Sequence, residues 1–109
     1  MELSKKEKKI AREIIEMGLQ KEFAKGLFDA DTILNEWKYK PSNNRDAYHL
    51  LYKKITDFDK HIARRYDEMR GSDYLFVIAA QLQEGIISEN DLEKFSENVK
   101  QAIKRIANI

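Results

Sequence analysis

The chain has 109 residues, of which 42% are hydrophobic and 36% charged, a mix too apolar for a disordered tail and sized for one globular domain over 1–109. Twenty Lys and Arg against nineteen Asp and Glu leave a net charge of +1, so no global field draws the protein to nucleic acid or anionic lipid. Cysteine is absent, which excludes disulfides, thiolate metal sites and thiol nucleophiles; no apolar run reaches the roughly 18 residues of a membrane span, and the expected location is the cytoplasm.

Four Gly, one Pro and no sustained alternation of β-branched with polar residues predict an all-α chain of four to five helices. Ser4 and Glu7 form a capping box that opens the first helix. Its inward stripe is Ile10, Ala11, Ile14, Ile15, Gly18, Leu19 and Phe23, at steps of three and four. Gly18 and Gly26 each weaken a helix by about 1 kcal/mol relative to Ala, so a bend or stop is expected between Leu19 and Leu27. Asp29 or Asp31 then caps a second segment over 32–39, which ends near Lys40 because Pro41 disfavours α geometry in the residue before it. A loop over 40–45 follows.

From Asn44 onward Tyr48, Leu51, Tyr52, Ile55, Phe58, Ile62, Tyr66 and Met69 recur at helical spacing, and Gly71 is placed to end the helix as a left-handed cap. A helix over 45–70 is about 39 Å long, more than a compact domain of this size can cover. The least demanding cover for its stripe is a second copy packed antiparallel, which predicts a homodimer around this long central helix. Ser72 is expected to cap the next helix, and 74–82 (YLFVIAAQL), apolar nearly all round, is the expected core helix. Gly85 closes it, with Ile86 folding back onto Ala80. Ser88 with Asp91 is a second capping box, taken to start a last helix whose stripe is Leu92, Phe95, Val99, Ala102, Ile103 and Ile106.

The residue inventory argues against catalysis. Only two His are present, His49 and His61, about 120° apart around a helix axis, and the expected partner of His61 is Asp57 one turn before it. Asp29, Asp31, Asn35 and Glu36 lack the spacing of a calcium loop and read as helix caps. There is no Gly-flanked Ser nucleophile and no Gly-rich phosphate loop; the carboxylate pairs Asp57 with Asp59 and Asp67 with Glu68 point apart on a helix. No cofactor or metal is expected, and binding is the expected role. Lys53, Lys54, Lys60, Arg64, Arg65 and Arg70 are a candidate phosphate track, but Asp57, Asp59, Asp67 and Glu68 interrupt it, as on a solvated helix face. Lys5, Lys6, Lys8 and Lys9 form a second basic group. Trp37, Lys38, Tyr39 and Lys40 alternate aromatic and basic residues; packing of Trp37 into the core is the expected reading.

The segment 76–85 (FVIAAQLQEG), preceded by Tyr66, Asp67 and Glu68, resembles the fluorescence recovery protein family of cyanobacterial photoprotection through Phe76, Val77, Ala79, Leu82, Gln83, Glu84 and Gly85. The resemblance runs more thinly from about Asp46 to the end, with one extra residue between Tyr66 and Phe76. It implies a small all-α homodimer with the long helix at its interface, no cofactor and no covalent chemistry. Such proteins bind the C-terminal domain of the photoactivated orange carotenoid protein and speed its return to the resting state, a shift of populations. The family's interface uses a Trp, a His, an Asp and an Arg on the long helix, at places held here by His49, Tyr52, Lys53 and Asp59. With the two charges exchanged, Lys53 and Asp59 are expected to pair across the dimer and set its register, with Ile55, Phe58, Ile62 and Tyr66 as interface or core. The resulting expectation is a dimer of this type that binds a different protein partner; the alternatives are a nucleic-acid regulator using Lys53, Lys54, Arg64 and Arg65, and an assembly subunit.

Overall fold

A computed structural model describes residues 2–40 and 43–109. Four α-helices are present, α1 (Lys5–Tyr39), α2 (Asn44–Tyr66), α3 (Tyr74–Gln83) and α4 (Glu97–Ile106), with 3-10 turns at Gly71–Asp73 and Glu89–Leu92, and no strand among the described residues. None of these helices is long and apolar enough to cross a membrane. The expected all-α class is observed, with the greatest length in α1, at 35 residues, rather than in the central helix, at 23.

The expected break in the first helix does not occur. Helix α1 runs through Gly18 and Gly26 because close neighbours need those positions bare: a Cβ at Gly18 would lie 2.6 Å from Gln81 Cδ, and one at Gly26 would lie 2.9 Å from the Phe58 ring. Asp29, Asp31, Asn35 and Glu36 are therefore helix-interior residues and cap nothing; Asn35 donates to Asp31 within the helix at 3.1 Å. Pro41, the expected terminator, lies outside the described residues.

The chain groups into two compact units, Met1–Lys21 with Glu68–Ile109, and Glu22–Asp67. In the first, the start of α1 packs with α3 and α4. The Glu7 N–H donates to Ser4 Oγ at 3.1 Å, as the capping box predicts, and Ser96 Oγ donates to the Glu7 carboxylate at 3.1 Å. Ile10, Ala11, Ile14, Ile15, Ile78, Leu82, Leu92, Phe95, Val99 and Ile103 form the buried core. Gln81 is fully buried there and its Nε2 donates to the Ile15 carbonyl at 3.1 Å, so a backbone acceptor of α1 compensates a buried amide. Phe76, by contrast, is 62% exposed, so α3 is not enclosed all round.

Several boundaries differ from the sequence expectations. Helix α2 ends at Tyr66, and the left-handed residue after it is Glu68 (φ 58°), not Gly71. Gly71 instead opens a 3-10 turn beside the Lys8 side chain, 3.6 Å from where a Cβ would sit. That turn, closed by the Arg70 N–H on the Asp73 carboxylate at 2.9 Å, contains Ser72, and Asp73 takes the N-cap position of α3. Gly85 has φ +74°, and the Ile86 N–H reaches the Gln81 carbonyl at 2.9 Å, the expected left-handed cap. The residue that the turn buries is Ile87, while Ile86 stays half-exposed. Ser88 and Asp91 do form a capping box, but on the 3-10 turn; α4 starts later, with Ser96 Oγ accepting from the Val99 N–H.

Candidate functional site

The second unit is a helical hairpin of the later part of α1 and all of α2. Asn43 caps α2, its side chain accepting from the Arg45 and Asp46 N–H groups. At the turn, Trp37 Nε1 donates to Asn44 Oδ1 at 2.9 Å; the indole is 37% exposed and ties the helix ends together instead of entering the core. Further along, Phe58 lies over Gly26 and meets Phe23 edge-on, ring centroids 5.8 Å apart. Asn44, Ala47, Leu51, Lys54, Phe58, His61 and Arg65 thus recur at steps of three and four as the row of α2 that faces α1.

This row ends in a polar clamp. Glu22, 6% exposed, receives His61 Nε2 at 2.7 Å, Arg65 Nη1 at 3.1 Å and the Tyr66 hydroxyl. Burial pushes the Glu22 carboxyl up, but the hydrogen bonds from Tyr66 and His61 and the charges of Arg65 and His61 outweigh it, and the carboxyl sits below its ordinary value. The expected His61–Asp57 pair is not formed, because Asp57 is held by Lys53 at 2.8 Å one turn away on the solvent side. Glu22 was not singled out in the sequence; its signal is a carboxylate at a stripe position of α1, next to Phe23 and between Gly18 and Gly26.

A second row, Tyr48, Tyr52, Ile55, Asp59 and Ile62, lies one residue further round α2. No residue of α2 is buried, and Tyr48, Tyr52 and Ile55 are 67%, 61% and 45% exposed. His49 and Asp59 are also exposed, Ile62 and Phe58 half-buried. Beside this row a groove of about 210 Å³ opens between the helices, floored by Phe23, Gly26, Ala30 and Phe58, with Leu27 and Ile55 on its walls and Asp29, Lys54 and Asp59 at its edge. The groove is overwhelmingly apolar, and Leu27 is 73% exposed. Of the cations proposed as a phosphate track, Lys53, Lys54 and Arg65 all have carboxylate partners, Asp57, Asp29 and Glu22 respectively. The family-like residues of 76–85 play structural parts: Val77, Ala79 and Leu82 are core and Gly85 is the cap, while Phe76, Gln83 and Glu84 are exposed. No group of three or more His, Asp or Glu able to hold a metal occurs among the described residues.

The fold and this face define a small all-α protein built on a helical hairpin with an unburied outer row. The structure is similar to that of a point mutant of the Fluorescence Recovery Protein from Synechocystis sp PCC 6803, with a TM-score of 0.81 over 98% of this chain and 99% of that one, at 21% identity. The fold is therefore that of the Fluorescence Recovery Protein. No family model matches the chain, and no curated protein matches it.

Proposed function

We propose that this protein is a non-enzymatic, cytoplasmic homodimer that binds another protein and shifts its conformational populations, in the manner of the fluorescence recovery protein but with a different partner. One observation carries the reading: α2 runs 23 residues without burying one of them, while its outer row presents Tyr48, Tyr52 and Ile55 to solvent. An exposed apolar row on a folded chain marks an interaction surface, and a second chain is the cover that suits one this long. His49, Tyr52, Lys53, Ile55, Asp59 and Ile62 form the dimer and partner surface, and Phe58 holds that surface to α1. Lys53 and Asp59 carry charges opposite to those the family resemblance implies at these places, which directs the surface away from the orange carotenoid protein.

The dimer is tested by light scattering of the parent chain and of Ile55→Asp, which buries a lone charge in the seam. The expected result is a dimer and a monomer, with equal helix content by circular dichroism; a monomeric parent defeats the reading. The partner is tested by the dark relaxation rate of photoactivated orange carotenoid protein with the dimer in excess. An unchanged rate is expected, and acceleration would assign the family's own partner.

A further inference from the structure

We infer that Lys5, Lys8, Lys9 and Arg12 of α1 form an electrostatic docking face for the phosphate backbone of nucleic acid. The inference does not depend on the homodimer proposed above, because these residues lie in the other compact unit. Their spacing, i, i+3, i+4 and i+7, is that of one helix face: at 3.6 residues per turn the four cations fall within an arc of about 100° and span about 10 Å along the axis. Lys5, Lys9 and Arg12 are exposed. The stem of Lys8 is half-buried against Gly71, its Cε 3.6 Å from where a Cβ would sit, and Arg70, next to Gly71 in the chain, is exposed.

Nothing within the chain compensates this charge. None of the four cations has an ion pair among the described residues. The nearby carboxylates are engaged elsewhere, Glu7 by Ser4 and Ser96, Glu16 by Gln20 and Asp73 by the Arg70 N–H, while Glu2 and Glu13 at the margins form no ion pair with the face. The helix dipole disfavours cations at this end, so stability does not account for them either. What the face lacks selects its partner. The apolar residues of this stretch, Leu3, Ile10, Ala11 and Ile14, are buried, which leaves no wedge to sink into a bilayer and no anchor for a peptide. No aromatic, Asn or Gln side chain stands among the cations to read base edges. Charge alone remains, and a regular row of phosphates matches it: over about 10 Å one strand of a duplex presents about three. Such binding is independent of base sequence.

The test is the fluorescence anisotropy of a labelled duplex of about 20 base pairs and arbitrary sequence, titrated with the full chain in about 20 to 200 mM salt. Micromolar affinity is expected at the lowest salt, and log K should fall against log salt with a slope of about −3 to −4. Lys5→Glu combined with Lys9→Glu should weaken binding by about tenfold or more and reduce that slope by about 2. Lys60→Glu combined with Arg64→Glu makes the same change of net charge at exposed positions of α2 and should alter the affinity by less than about twofold. Both pairs are exposed, and circular dichroism verifies that each variant keeps the parent's helix content. No binding with about 100 μM protein at the lowest salt, or an equal loss in the α2 variant, overturns the docking face. Polyglutamate or phosphatidylserine vesicles that compete as well as unlabelled duplex at equal charge overturn the assignment to nucleic acid.

Discussion

Glu22 and His61, thirty-nine positions apart in sequence, meet at 2.7 Å with the carboxylate almost fully buried. The contact fixes the rotation of α2 about its own axis, because a buried carboxylate must keep its donors. With His61, Arg65 and Tyr66 turned to α1, the row carrying Tyr52, Ile55 and Asp59 is left facing outward.

Replacing Glu22 with Ala removes the acceptor that His61, Arg65 and Tyr66 share. A loss of about 2–3 kcal/mol is expected from urea unfolding curves. A loss within experimental error would show that solvent takes over the clamp.

The same group sets an acid limb. The Glu22 carboxyl is held below its unfolded value of 4.5, so its stabilisation is fully present above about pH 4.5 and is lost as the pH falls through the lower folded value. Stability of the parent should therefore drop more steeply below pH 4.5 than that of Glu22→Gln, measured by thermal unfolding across pH 2.5 to 6. Parallel profiles would remove Glu22 from the cause.

Gly18→Ala improves helix propensity by about 1 kcal/mol yet pushes a methyl into the fully buried Gln81 amide. The packing term should win, for a net loss of about 1–2 kcal/mol. Gly85→Ala meets nothing within 4 Å and loses by backbone strain alone, about 1 kcal/mol at φ +74°. Restoration of Gly18→Ala by a smaller residue at position 81, with no such effect on Gly85→Ala, would separate the two mechanisms in denaturation experiments.

Trp37 is the only tryptophan and bonds Asn44 across the hairpin turn. Asn44→Ala should cost about 0.5–1 kcal/mol and shift the indole emission while leaving the circular dichroism of the folded protein unchanged. An unaltered emission spectrum would mean that the indole is positioned by its apolar contacts alone.

Local signals in the sequence were sufficient for the helical class, the Ser4 cap of α1, the Gly85 turn and the α3 core, and they found the Ser88 box though not that it closes a 3-10 turn ahead of α4. Each depends on residues within a turn or two, where propensity, capping and periodicity act. Contacts across long stretches of chain decided the rest. Gly18 and Gly26 read as helix breakers by propensity, but Gln81 and Phe58 pack where their side chains would be, and the helix continues. His61 read as the neighbour of Asp57, but a buried carboxylate on another helix outweighs an exposed one on its own. The single stripe of α2 resolved into an inner row that holds α1 and an outer row that faces solvent, a division that periodicity cannot make. A pattern in sequence specifies which residues share a side of a helix; only the packing of a second helix specifies which part of that side is covered and which stays exposed.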